Sequence, residues 1–121
     1  MEYFGIFPTA ADLAGLAQPK GLDARSFAKL ARDPSAHGPE AIFAEWNLGS
    51  TADCYTVRTG RYKYIHNHQD IPELYDLESD PGEKVNRGAD PSLGHVRNQL
   101  NDRLRAWYDV DKNPYRPVSK V

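Results

Sequence analysis

The sequence predicts an α+β fold. A small antiparallel sheet of about four strands is packed by a C-terminal amphipathic helix, with a short N-terminal helix ahead of it. Three observations predict this. Residues 91–108 place Leu93, Val96, Leu100, Leu104 and Trp107 at helical spacing, which makes one apolar face. Residues 53–60 lead through Thr59-Gly60, a turn signal, into residues 61–67, whose alternation suits the second arm of a hairpin. Residues 18–40 carry Pro19, Gly21, Pro34, Gly38 and Pro39, so they read as a long irregular connection.

In chain order, "IFPTAADLAGLA" (6–17) is the N-terminal helix. Pro8 suits its first turn, where a missing N–H is no loss. Ala10, Ala11 and Ala14 favour helix, and Gly15 weakens its end. Within the irregular connection, "SFAKLA" (26–31) has room for one or two helical turns. "AIFAEWNL" (41–48) is apolar and aromatic and suits a strand. "DCYTVRTG" (53–60) leads through its turn into "RYKYIHN" (61–67). In that second arm Tyr62, Tyr64 and His66 face one way, and Lys63, Ile65 and Asn67 the other.

"ELYDL" (73–77) offers the last strand, with Leu74 and Asp76 opposite Tyr75 and Leu77. "SDPGE" then reads as a capped helix start: Asp80 at the cap, Pro81 next, Glu83 three residues on. Such a cap is worth about 1 kcal/mol. Asp90 and Pro91 are the N-cap and first residue of the closing helix. Residues 110–121 read as an extended tail. The chain is thus expected to be one domain: helix plus long loop over 1–40, sheet and helix core over 41–109, then the tail.

Composition narrows the function classes. With 121 residues, one modest core is possible. The charged share is 26% and the net charge −2, and no basic block stands out, so no nucleic-acid partner is expected. Apolar runs are only a few residues long, against the roughly 20 that a spanning helix needs, so no membrane partner is expected. The opening Met1-Glu2-Tyr3-Phe4-Gly5 has neither a basic region nor an apolar run of a secretory signal. Taken as it stands, the chain is expected in the cytoplasm. A single cysteine, Cys54, excludes an intrachain disulfide and a cysteine-rich zinc site.

Three groups of residues carry possible chemistry. His66 and His68 point to the same side of an extended strand, and Asp70 can join them, which would suit a divalent transition metal. His37, with Glu45 and Trp46, can line a small pocket at a loop–strand junction. Arg58, Arg61 and Lys63 form a basic cluster on the hairpin, with Arg58 and Lys63 expected to pair with Glu45, Asp76 or Glu78. No Ser–His–Asp order and no glycine-rich phosphate loop is present, so no catalytic residue and no cofactor is called for.

Several phrases, in order, resemble the C-terminal part of sulfatases, in the wider alkaline-phosphatase-like superfamily. They are "IFPTAADLAGL", "GLDARSF", "YTVRTGRYKYIHN", "ELYDLESDPGEKVN" and the closing helix that ends in Trp107. Together they cover residues 6 to about 108. Gly5, Ala24 and Arg87 depart from the residues usual in that pattern. The resemblance implies a subdomain whose reaction centre lies elsewhere. In sulfatases a formylglycine, made from cysteine or serine, and a calcium or magnesium ion sit in a large N-terminal α/β domain. "CYTVR" places Arg58 four residues after Cys54, as the formylglycine signal does, but Thr56 stands for its proline and the position is far too late. The resemblance also implies that Arg58, Arg61 and Lys63 can border an anionic substrate, and His37 joins them as a candidate anion contact from its loop. Without the large domain, a helix at 6–17 would expose Ile6, Phe7, Leu13 and Leu16. The expected partner is therefore the missing sulfatase catalytic domain, or a second copy in a homo-oligomer, most simply a dimer.

Overall fold

The elements follow the sequence pattern closely. Helix α1 spans Ile6–Leu13 and α2 spans Ala28–Arg32. Strands β1 (Ile42–Trp46), β2 (Cys54–Arg58), β3 (Tyr62–Asn67) and β4 (Glu73–Asp76) come next, and helix α3 (Gly94–Trp107) closes the order. The computed structural model describes residues 5–18, 20–22, 25–33, 35–46, 53–68 and 70–107. The tail at 110–121 lies outside the described residues. The chain divides into two compact units, Met1–Glu40 and Ala41–Val121.

In the second unit the strands form one sheet in the order β1-β2-β3-β4, and every neighbouring pair is antiparallel. Each connection joins strands adjacent in sequence, so hairpin physics alone sets the topology. Phe43, Val57, Tyr64 and Leu74 fall in one register row across the four strands. Alternation puts all four on one face. Tyr55, Val57, Tyr64 and Leu74 are buried there with Leu100 and Leu104 of α3. Leu93 and Val96 pack beside them, and Phe43 stacks on Trp107 with ring centroids 4.9 Å apart. The helix face read from the sequence is therefore the face that closes the core. Fully burying each such apolar side chain stabilises by roughly 1.5–3 kcal/mol.

The outer edge of β4 is closed by a loop. The Leu74 N–H donates to Asn86 Oδ1 at 3.1 Å, and the Leu74 carbonyl accepts from the Arg87 N–H at 2.7 Å. Asn86 Oδ1 also accepts from the Gly88 N–H at 2.7 Å. The loop runs so close that a Cβ on Gly88 would lie 2.1 Å from the Pro72 carbonyl oxygen. An amide side chain and a glycine thus replace a fifth strand and leave no open ladder at Leu74.

Two expectations are corrected. No helix starts at Asp80. Its carboxylate accepts from the Lys84 and Val85 N–H groups at 2.7 and 2.9 Å, which ties up a loop. Glu83 has φ +52, a left-handed conformation that a right-handed helix cannot include. Its side chain reaches Lys63 in place of the cap backbone. The first helix also stops at Leu13, short of residue 17. Gly15 has φ +71, its N–H bonds the Asp12 carbonyl and the Leu16 N–H bonds the Ala11 carbonyl. That is a Schellman stop, which glycine favours because it has no Cβ. Asp90 does cap as expected, accepting from the Ser92 N–H at 2.9 Å, but Pro91–Leu93 form a tight 3-10 turn before α3 begins.

In the first unit, Thr9 joins α1 to the segment before α2. Its hydroxyl donates to the Gly5 carbonyl and accepts from the Phe27 N–H at 2.9 Å. Ser26 donates to Asp12 at 2.7 Å. Among the described residues, the buried side chains of this unit are small: Pro8, Thr9, Ala11 and Ala28. Ile6, Phe7, Leu13 and Leu16 are 49–65% exposed. No described helix is long and apolar enough to cross a membrane.

Two alanine substitutions test the edge closure. Gly88→Ala should destabilise by about 2 kcal/mol or more, because the new methyl meets backbone. Gly94→Ala at the start of α3 has open space and should be neutral or stabilising by up to about 1 kcal/mol. Urea unfolding followed by circular dichroism checks both.

Candidate functional site

The hairpin concentrates the charged side chains, and the structure separates their roles. Arg61 lies in the β2–β3 turn, with its carbonyl accepting from the Leu77 N–H at 2.7 Å. From there the guanidinium reaches Asp76 at the end of β4 with two bonds, Nε to Oδ1 at 3.1 Å and Nη2 to Oδ2 at 2.9 Å. Glu78 adds a contact at 3.2 Å, and the guanidinium lies over the Tyr62 ring. Asp76 is a buried residue. The Arg61 hydrogen bonds, followed by the Glu78 N–H, hold its carboxyl down at about 2 despite burial. The same pairing raises the Arg61 pKa further.

Lys63 Nζ meets Glu83 Oε2 at 2.5 Å. The expected partners of Arg58 and Lys63 are thereby corrected: Asp76 and Glu78 belong to Arg61, and Glu83 takes Lys63. Glu83 was hidden from strand reasoning because it reaches back from a left-handed loop position. Arg58 ends β2, is exposed, and makes no ion pair among the described residues.

His66 sits opposite Tyr55 in the sheet, and the His68 N–H donates to the Asp53 carbonyl at 3.2 Å. Asp70 is exposed and accepts from the Ile71 N–H at 2.7 Å. Among the described residues, no three His, Cys, Asp or Glu side chains gather so as to hold a metal ion. His37 is exposed in the first unit, whereas Glu45 and Trp46 belong to the second. Cys54 is half-buried, and burial, then Glu73 and Asp53, push its thiol pKa up. That disfavours the thiolate that nucleophilic chemistry requires.

Two polar features escaped sequence reasoning. Asp53 is 1% exposed, and its Oδ2 accepts from the Tyr55 hydroxyl at 3.0 Å. Among the described residues its Oδ1 has no hydrogen-bond partner. Glu73 accepts from Asn67 at 2.9 Å and from the Tyr75 hydroxyl at 2.5 Å, and this bond pushes the Tyr75 pKa up to about 12. In both, a tyrosine hydroxyl bonds the carboxylate two residues earlier, on the same face of an extended segment, a spacing that the sequence carries as Asp-x-Tyr and Glu-x-Tyr.

Comparison with known proteins turns this architecture into ancestry. The family model described as N-sulphoglucosamine sulphohydrolase, C-terminal, matches residues 3–109. The chain belongs to the sulfatase C-terminal family. Mouse arylsulfatase K is 32% identical over 118 residues, covering 88% of this chain and 21% of that protein. A delta 4,5-hexuronate-2-O-sulfatase of Bacteroides thetaiotaomicron is 31% identical, covering 93% and 24%. The crystal structure of a phosphonate monoester hydrolase of Agrobacterium radiobacter superposes with a TM-score of 0.67 at 28% identity, covering 85% and 24%. This sulfatase C-terminal domain thus spans about a fifth to a quarter of the length of the relatives it matches. Its most recognisable phrase, "ELYDLESDPGEKVN", supplies Asp76, Glu83 and Asn86, which bind Arg61, Lys63 and the β4 edge.

The depressed Asp76 pKa gives a signed prediction. A carboxylate whose folded pKa lies below the unfolded 3.8 adds stability that is fully present above about pH 4. That contribution is lost as the pH falls toward 2. Asp76→Asn should therefore be less stable at pH 7 and should show a flatter loss between pH 4 and 2 than the parent. Urea midpoints measured across that range provide the check.

Proposed function

We propose that this chain is the non-catalytic C-terminal domain of a sulfuric ester hydrolase acting on sulfated sugars. The reaction centre is supplied by a catalytic domain, either from the same polypeptide or from a separate one in trans. One observation carries the reading: a family match over residues 3–109 joined to coverage of only a fifth to a quarter of the relatives. The sugar class follows from the hexuronate sulfatase and the family description.

The first unit supports a docking role. Among the described residues its buried side chains are small, while Ile6, Phe7, Leu13 and Leu16 stay exposed. Exposed apolar groups of this size mark surfaces made to be covered. The catalytic domain is the proposed cover. When that domain is absent, two copies close the same surface in a two-fold dimer.

Two measurements test this. The purified chain, given an aryl sulfate or an aryl phosphate with calcium, should show no turnover above background. Turnover that Cys54→Ala abolishes would overturn the non-catalytic reading. Light scattering should give a dimer for the parent chain and a monomer for the Phe7→Asp, Leu13→Asp double variant. A parent that is monomeric at high concentration removes the dimer.

A further inference from the structure

We propose that helices α1 and α2 are ordered by docking: they form against the surface that covers them, so that docking and the folding of the first unit are one step. This rests on the reading above, in which the catalytic domain is that cover and a second copy replaces it in the isolated chain.

Local physics leaves both helices weak. An isolated helix shorter than about 12–15 residues is marginal in water. Helix α1 has 8 residues and α2 has 5. Neither has a side-chain N-cap or an acidic residue in its first turn, the devices that steady a short helix from within. Packing must therefore hold them, and the first unit has little of it. Ile6, Phe7, Leu13, Leu16, Leu22 and Leu30 are 36–65% exposed. The buried core cluster, from Tyr55 to Leu104, is drawn from the second unit alone. Pro8, Thr9, Ala11 and Ala28 remove little apolar area from water, and ordering a backbone segment costs more than such burial returns.

The unit nevertheless has one defined arrangement, set by polar bonds. Thr9 is 5% exposed, and its hydroxyl joins the Gly5 carbonyl to the Phe27 N–H. Ser26 donates to Asp12, and the Gln18 side chain donates to the Pro8 carbonyl at 2.7 Å. In an open chain water serves these groups almost as well, so their net contribution is small. They select which arrangement forms once α1 meets the segment before α2. The driving force, burial of the large apolar side chains, is left to a partner. A segment built this way orders as it binds.

Hydrogen–deuterium exchange of the 121-residue chain provides the test, run at two concentrations with light scattering alongside, so that a second copy serves as the cover. The Ala14 and Asp33 amides, which bond the Ala10 and Lys29 carbonyls, report on α1 and α2. In the dilute monomer they should be protected no more than about tenfold, against about a thousandfold or more in the β2–β3 ladder. Where scattering gives a dimer, their protection should rise at least about tenfold while the ladder stays unchanged. Ala28 is fully buried, so Ala28→Asp reads the same property in a second way. It should leave the urea midpoint of the second unit unchanged, whereas Leu104→Ala lowers it. A dilute monomer with about thousandfold protection at Ala14 overturns the proposal. So does a dimer in which Ala14 stays unprotected, or an Ala28→Asp variant with a lowered midpoint. A chain that is monomeric throughout, with Ala14 unprotected and Ala28→Asp silent, removes the dimer and supports the coupling. Turnover of an aryl sulfate would strike the non-catalytic reading and leave these readouts as they stand.

Discussion

The two-bond contact between Arg61 and Asp76 is the joint on which the second unit depends. It ties the β2–β3 turn to the end of β4, two points fifteen residues apart in sequence. With that contact in place, β4 has one register, Tyr62 opposite Asp76 and Tyr64 opposite Leu74. A slip of one residue would turn Leu74 out of the core and Tyr75 into it. The Leu74 backbone then organises the loop beyond, through Asn86 and Arg87. An ion pair that is partly exposed adds modest stability in general. Here the fork geometry matters more than the charge, because two parallel bonds fix direction as well as distance.

Much of this was legible in the sequence, for identifiable reasons. The hairpin announced itself because alternation and a Thr-Gly turn agree on one structure. Helix α3 did so because Leu100 and Leu104 share a face with Leu93 and Val96, and Asp90-Pro91 mark its start. Local propensity and burial give the same answer in both elements, and such agreement is what makes a pattern readable. The resemblance added what physics could not, namely an ancestry.

The rest was hidden because it depends on contacts distant in sequence. Asp80, Pro81 and Glu83 have the spacing of a capping box, yet Lys63, twenty residues away, wins the Glu83 carboxylate. Gly82 follows the proline directly, and a glycine there costs a helix about 1 kcal/mol. The capping reading therefore rested on a weak preference set against a charge-assisted bond. Asn86 carries no strand signal of its own, yet its side chain accepts from the Leu74 N–H as a strand carbonyl would. The isolated oxygen of Asp53 could be found only once burial was known. For the candidate site, sequence supplied the three cations, and the structure decided which of them are already engaged.

The meander order of the sheet has one more consequence. Every strand pairs with the one made just before it, so each loop closed on folding is short and its entropy cost small. Folding speed tracks such locality, and sheets with distant pairings are the slow ones. Among the described residues, the core cluster and the four-stranded ladder are both drawn from residues 41–107. Within the unit itself, the sheet can therefore form from local pairings before α3 closes its core.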